Sequence, residues 1–242
     1  MQALILAGGK GTRFMEETVV KPKPMIEICN KPILFHIIDH YSFFGVDEFI
    51  ILAGYKIEYI IDYFNKQNLK YKHGAYVTDK NLKIKVLDTG NETMTGGRIK
   101  RASEFINEKF FLTYGDGLAN VNVQQLAKFH LSHNKIGTIT VTNPVSRFGL
   151  IEFDNDQVVN NFVEKPKLPG FVNIGFMAFK KEIINFLDDN VILESSPLQN
   201  LSKKSQLLAN IHDGYFEPMD TYREYLQMNE YWKSGQPPWL DI

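Results

Sequence analysis

Gln2-Ala3-Leu4-Ile5-Leu6-Ala7 runs without polar periodicity into Gly8-Gly9-Lys10-Gly11-Thr12-Arg13, and Lys21-Pro22-Lys23-Pro24-Met25 and Lys31-Pro32 follow. A short apolar run that empties into glycines reads as a buried parallel strand meeting a loop of close backbone approach. Glycines there let backbone N–H groups curl around an anion, and Lys10, Arg13, Lys21 and Lys23 add positive charge. The stretch predicts a loop that holds phosphates. Two common phosphate loops are excluded by spacing. The P-loop needs Ser or Thr after Gly-Lys, but Gly11 follows Gly9-Lys10; the dinucleotide pattern G-x-G-x-x-G starts at Gly9 and Gly11 and meets Phe14.

Working outward, residues 31–44 have helical periodicity through Ile33, Leu34, Ile37, Ile38 and Tyr41, ending at Gly45. A second buried strand is predicted over 49–53 and a second helix over 56–64. Residues 71–77 and 82–87 read as strands around the turn Asp79-Lys80-Asn81. Helices are expected at 99–106 and 124–131, and strands at 110–114 and 137–141. From about residue 150 the strands shorten (150–153, 158–163, 172–179). Helical segments at 181–187 and 198–208 follow, the second opened by Ser196-Pro197-Leu198-Gln199 as cap, first-turn proline and capping-box Gln. A strand over 211–216 and a helix over 222–232 close the chain. This alternation predicts an α/β fold: a doubly wound, mostly parallel, Rossmann-like sheet with helices on both faces and β insertions forming a lobe. One domain over 1–242 is expected, its halves being about 1–145 and 146–242.

Bulk properties fit a soluble enzyme. Of 242 residues 44% are hydrophobic and 13% aromatic, which supports a sizeable core and argues against disorder. A formal net charge of −1 gives no reason to expect nucleic acid or an anionic membrane as partner. The single cysteine, Cys29, cannot close a disulfide within the chain, so a reducing cytoplasm is expected. Neither a secretory leader nor a membrane span is legible. Among 27 basic residues only Arg13, Arg98, Arg101, Arg147 and Arg223 are arginine, which marks them as candidates for sites needing a planar bidentate donor.

The motifs that carry chemistry each have a plain structural reading beside the functional one. Asp116 in Gly115-Asp116-Gly117 follows a core strand and is aimed at the phosphate loop's crevice, yet Gly-Asp-Gly is also an ordinary turn. Asp220 in Pro218-Met219-Asp220-Thr221 stands where a helix cap is favoured, and Thr221 to Glu224 makes a capping box. Glu164-Lys165-Pro166 follows a strand and could be loop decoration. Thr95-Gly96-Gly97-Arg98, after Asp88-Thr89-Gly90, could be a glycine turn ahead of a helix. His36/His40 and His130/His133 have spacings found in zinc sites, but no H-E-x-x-H accompanies them, so they read as helix-face residues.

Taken together, Leu-Ala-Gly-Gly-x-Gly-Thr-Arg, Lys-Pro-Lys-Pro-Met, Asp-Thr-Gly through Thr-Gly-Gly-Arg, Tyr-Gly-Asp-Gly and Pro-Met-Asp-Thr resemble the sugar-phosphate nucleotidyltransferases over nearly the whole chain. The likeness is strongest to the glucose-1-phosphate cytidylyltransferases. It implies transfer of CMP from CTP to a sugar 1-phosphate, with pyrophosphate released. It also implies that Leu6, Ala7, Gly8, Gly9, Gly11, Thr12, Arg13 and Lys23 hold the nucleotide, with Thr95, Gly96 and Gly97 against the pyrimidine. Lys23 and Arg13 are the implied catalytic residues. Asp116 and Asp220 are the implied Mg²⁺ ligands, and Gly149, Glu164, Lys165 and Asn173 the acceptor contacts, so that the lobe of the second half binds the acceptor. CTP, a phosphorylated small molecule and further copies of the chain are the implied partners. Two departures are legible: residues 65–85 are shorter than in that class, and Asn173-Ile174-Gly175 stands where it has Asn-Gly-Gly. A different phosphorylated acceptor, a uridylyl- or thymidylyltransferase, and a non-catalytic nucleotide-binding regulator remain open alternatives. The implied reaction needs no general base, because a phosphate oxygen already ionised at neutral pH attacks the α-phosphorus. Holding two polyanions in line and neutralising charge is then the catalytic task.

Overall fold

The structure, a computed structural model, describes residues 1–11, 20–67 and 69–241. The apolar opening run is β1 (Gln2–Ala7), buried along its length. A short hairpin of β2 (Glu27–Ile28) and β3 (Lys31–Pro32) leads to α1 (Ile33–Phe43), then β4 (Glu48–Ala53), α2 (Ile57–Lys66), β5 (Lys70–Lys72), β6 (Ala75–Val77) and β7 (Lys83–Asp88). Next come α3 (Thr95–Arg101), β8 (Lys109–Tyr114), β9 (Gly117–Ala119), α4 (Val123–Leu131) and β10 (Gly137–Thr142). The second half adds β11 (Leu150–Phe153), β12 (Val159–Val163), β13 (Val172–Lys180), α5 (Ser196–Lys203), β14 (Leu207–Ile211), β15 (Phe216–Pro218) and α6 (Tyr222–Lys233).

Among the described residues nine strands form one sheet, in the order β14-β10-β13-β8-β1-β4-β7-β6-β5. β8, β1, β4 and β7 run parallel, with Leu6 opposite Leu52 on one side and Tyr114 on the other. The chain moves from β1 outward through β4 and β7, then returns to lay β8 on the opposite side of β1. That reversal opens a crevice beyond the carboxyl ends of the parallel strands, where ligands of open α/β sheets bind. The sheet is mixed toward both edges. β13 is antiparallel to β8 and β10, and β6 to β5 and β7.

Successive strand residues point to opposite faces, and both faces are covered. Ala3, Ile5, Phe49, Ile51, Phe111, Phe176 and Ala178 pack under Ile33, Ile37 and Tyr41 of α1 and Ile60 and Phe64 of α2. Leu4, Leu6, Ile50, Leu52, Leu112, Met177 and Phe179 pack under Ile99 of α3 and Leu198 and Leu201 of α5. Burial on both faces explains why β1, β4 and β13 read as unbroken apolar runs. The α/β reading of the sequence therefore holds. No helix among the described residues is long and apolar enough to cross a membrane.

Several boundaries differ from the expected ones. The strand expected over 71–77 is the hairpin β5–β6, which turns at His73 (φ 50°) and Gly74 (φ 77°). The helix expected over 99–106 begins at Thr95 and ends at Arg101, followed by the 3-10 turn Ser103–Phe105. Gly96 and Gly97 hide its first turn, since glycine is a poor helix former. The helix expected over 198–208 stops at Lys203, and Ser205 at φ 52° turns the chain into β14. Its cap is Ser195, without a side-chain bond. The strand expected over 211–216 is split between β14 and β15 by a loop.

β11 and β12 stand apart as a two-stranded ribbon whose residues are all exposed, with Phe153 at 65% and Phe162 at 60%. The bridge Val145–Lys167 closes its base.

The histidine pairs are packing residues. His40 Nε2 lies 2.8 Å from the Val121 carbonyl, and His130 Nδ1 lies 2.9 Å from Thr138 Oγ1. Burial holds the His36, His40 and His130 imidazoles at pKa values of about 4, below the usual 6.5, helped at His36 by Lys31 and at His130 by His133. The unfolded chain takes up these protons more readily. The stabilisation is therefore complete above pH 6.5 and is lost as pH falls from there through about 4. Unfolding free energies from urea titration should fall from neutral pH toward about pH 5, by up to ~1.4 kcal/mol per histidine for each pH unit below 6.5. His40→Gln should flatten that slope, and free energies independent of pH would contradict neutral buried imidazoles.

Candidate active site

Four loops leave the carboxyl ends of β1, β4, β7 and β8, and one guanidinium fastens three of them. Arg98 of α3 is 3% exposed. Its Nη2 donates to the Gly8 carbonyl (2.7 Å), after β1, while Nη1 donates to the carbonyls of Ala53 (3.0 Å), ending β4, and Gly90 (2.8 Å), after β7. Thr89 Oγ1 accepts a further bond from Nη1 at 2.7 Å. The glycines permit this approach: a Cβ on Gly8 would stand 2.1 Å from Arg98 Nη1, and one on Gly54 2.4 Å from it. Arg101 adds a bond to the Thr89 carbonyl (2.8 Å). The sparse arginines thus mark a multidentate site at 98 and a single bond at 101, with backbone carbonyls as the main partners.

Lys23 enters from the 3-10 turn Lys23–Met25, where Pro22 (φ −66°) and Pro24 preset the backbone at positions that need no N–H. Its ammonium is buried and donates to Asp116 Oδ2 and Asp220 Oδ1, each at 2.7 Å. Burial by itself would lower the Lys23 pKa, but Asp116 and then Asp220 outweigh it and hold it above the ordinary lysine value.

The two aspartates meet because β9 and β15 pair, with Gly117 opposite Pro218, and because the Met219 N–H donates to the Asp116 carbonyl (2.8 Å). Thr221 caps α6 and its N–H donates to Glu224 (2.6 Å), so Asp220 is released from capping and turns to Lys23. The Asp116 and Asp220 side chains remain 32% and 21% exposed, leaving room for a ligand beside Lys23.

Two cavities meet at this pair. One, of about 330 Å³, is lined by Leu6, Ala7, Gly8, Gly9 and Gly11 on one wall and Thr93, Met94, Thr95 and Arg98 on the other, with Lys23 at its end. The second, of about 530 Å³, is lined by Thr113, Asn173, Ile174, Glu194 and Phe216. Tyr114, Asp116 and Asp220 border both. Among the described residues no cluster of three or more His, Cys, Asp or Glu could hold a metal by itself. Two carboxylates already gathered around one cation, with open faces toward the cavities, suit a hard divalent ion completed by phosphate oxygens.

The expected site residues divide accordingly. Leu6, Ala7, Gly8, Gly9, Gly11, Lys23, Thr95, Asp116 and Asp220 line the first cavity and Asn173 the second. Thr12 and Arg13 lie outside the described residues. Gly96 and Gly97 do not line the cavity: both amides donate to the Val191 carbonyl (2.8 and 3.2 Å), and their missing side chains let residues 189–191 pack on α3. Their amides are thus occupied by the loop that carries Val191. Gly149, Glu164 and Lys165 border the exposed ribbon away from both cavities, with Lys165 Nζ 3.7 Å from Glu164. Sequence reading missed Tyr114, Glu194 and the carbonyl-binding role of Arg98. The scarcity of arginine was the available signal for the last.

Residues 2–241 match the nucleotidyl transferase family, and the chain belongs to it. It is a nucleotidyltransferase whose relatives include the glucose-1-phosphate cytidylyltransferase of Salmonella typhi, 40% identical over 99% of this chain and 98% of that one. The probable glucose-1-phosphate cytidylyltransferase of Bacillus subtilis (strain 168) is 39% identical over 99% of both. Among solved structures, HddC from Yersinia pseudotuberculosis complexed with GMP-PN superimposes with a TM-score of 0.71 at 29% identity, over 96% of this chain and 99% of that one.

Replacing Arg98 tests the loop clamp. Arg98→Lys retains the charge but cannot reach three backbone segments at once. Each buried carbonyl left unpaired should cost about 1–3 kcal/mol. Urea unfolding should register the loss, and nucleoside triphosphate KM should rise at temperatures where the variant stays folded. Wild-type stability together with wild-type KM would refute the clamp.

Proposed function

We propose that this chain transfers CMP from CTP to glucose 1-phosphate, forming CDP-glucose and pyrophosphate. The meeting of two cavities at Asp116, Asp220 and Tyr114 carries the reading, since a nucleotide in one and a sugar phosphate in the other would present their phosphates to each other. The 40% identity to a glucose-1-phosphate cytidylyltransferase along nearly the full chain supports the base and the sugar. The chain acts as one domain, residues 1–145 carrying the nucleotide and 146–242 most of the acceptor side. This reading is supported by the sheet that β1 begins, which β13 and β14 of the second half continue.

The glycine loop after β1 cradles the triphosphate with backbone N–H groups, and Thr12 and Arg13 are further nucleotide-binding residues. Asp116 and Asp220 hold Mg²⁺, which when bound neutralises charge on the nucleotide phosphates. Lys23 keeps its charge at any physiological pH and pairs with oxygens around the α-phosphorus. An oxygen of glucose 1-phosphate, already ionised, attacks that phosphorus while pyrophosphate departs. Asn173 contacts the sugar from within the acceptor cavity, and Gly149, Glu164 and Lys165, which stand away from that cavity here, complete the acceptor site only when the ribbon packs over it. The working compartment is a reducing cytoplasm, in which Cys29 stays a thiol.

Pyrophosphate release, measured with each nucleoside triphosphate and a panel of phosphorylated acceptors, tests the reaction. CTP with glucose 1-phosphate should prevail, and kcat/KM for CTP should exceed that for UTP about ten- to hundredfold, because mismatched base edges leave polar groups unpaired. Asp220→Asn, folded by circular dichroism, should lose about a hundredfold or more in kcat. A near-normal rate for that variant would remove Asp220 from the metal site.

Further copies of the chain are the partners we infer for the ribbon. Each of its faces carries an exposed apolar pair: Leu150 opposite Val163 on one, beside the polar pair Glu152 and Asn161, and Ile151 opposite Phe162 on the other. An isolated two-stranded ribbon is marginal in water, so a cover that is always present is required, and another copy of the chain meets that need. Phe162→Glu should shift the mass seen by light scattering toward a monomer and weaken acceptor binding. A wild-type protein monomeric at micromolar concentration would refute assembly.

A further inference from the structure

The acceptor cavity contains a third carboxylate, and its partners tie the two halves of the site together. Glu194 lies on the loop before α5 and faces that cavity. One carboxylate oxygen accepts from the Tyr114 hydroxyl and the other from Thr95 Oγ1 (3.0 Å). Thr95 Oγ1 in turn accepts from the Leu193 N–H (2.8 Å), and the amides of Gly96 and Gly97 hold the Val191 carbonyl of the same loop. The loop carrying Glu194 is thus bolted to the first turn of α3, whose Thr95 lines the nucleotide cavity.

A carboxylate beside Asp116 and Asp220 conflicts with an anionic ligand unless it faces the ligand's uncharged part. An ionised carboxylate only accepts, and about two of its four lone-pair directions are used by Tyr114 and Thr95. Sugar hydroxyls are neutral donors suited to the rest. Resting on the nucleotidyl-transfer reading above, we propose that Glu194 is the specificity residue of the acceptor site: it binds hydroxyls of a neutral sugar body and excludes phosphorylated acceptors whose body carries a second negative charge. The orientation is preset, because Tyr114 and Thr95 fix the carboxylate before the acceptor arrives.

Glucose 1-phosphate and glucuronate 1-phosphate, which differ by a carboxylate on the sugar body, are the probes. Glu194→Gln retains the shape and removes the charge. Its KM for glucose 1-phosphate should rise about tenfold, several times more than that for CTP, and its preference for glucose 1-phosphate over glucuronate 1-phosphate should fall about tenfold or more. Glu194→Asp retains the charge but withdraws it, so it should weaken glucose 1-phosphate binding while still excluding the uronate. Calorimetric titration of both sugar phosphates into wild type and variants reads the same contact without turnover. An unchanged preference in folded Glu194→Gln, by kinetics or by titration, overturns the assignment. Absence of pyrophosphate release by the wild type with every acceptor would instead overturn the nucleotidyl-transfer reading, and the titrations would still decide Glu194.

Discussion

The ammonium of Lys23, held between Asp116 and Asp220, is the interaction around which the rest of this molecule is organised. Two carboxylates this close repel unless a cation lies between them, and a buried lysine is unfavourable unless anions surround it. Each therefore requires the other. The arrangement also pre-forms a centre for phosphate chemistry, since the carboxylates are gathered before any substrate or metal arrives. An ion that takes the carboxylates leaves the lysine's positive charge beside the phosphates that come with it.

Around that centre the scaffold is stiff for a second reason. Arg98 spends its guanidinium on backbone carbonyls of the loops after β1, β4 and β7. A planar donor with several N–H groups can bind three segments at once, which no lysine can do. Gly8 and Gly54 are the complement of that choice, because any side chain there would occupy the space of the guanidinium. Gly8, where the phosphate loop begins, is thus fastened by a buried residue that also lines the nucleotide cavity.

The acceptor side is assembled from more distant pieces: Asn173 on β13, Glu194 on the loop before α5, and Phe216 and Asp220 near β15. Tyr114 borders both cavities and bonds Glu194, so the two substrate sites share a wall and do not form independently. The exposed ribbon β11–β12 is the exception to this economy, with apolar side chains on both faces and solvent around it.

Much of this was legible in the chain itself. The unbroken apolar runs of β1, β4 and β8, the glycine loop and the alternation of helix and strand identify a doubly wound α/β sheet, since periodicity and glycine chemistry act over a few residues. Proline on both sides of Lys23 and the Thr221–Glu224 capping box are local in the same sense. The sequence could not tell whether Asp220 caps a helix or faces a ligand, because both uses favour the same residue. Only the pairing of β9 with β15 decided it, by carrying Asp220 to Lys23. Gly96 and Gly97 look like a loop until Val191 supplies the carbonyl that satisfies the first turn of α3. The antiparallel insertion of β13 between β8 and β10 was likewise invisible, since a strand buried on both faces reads the same in either direction. Contacts such as these join residues far apart in the chain, and the burial of both sheet faces, which no local pattern encodes, determines which of them meet.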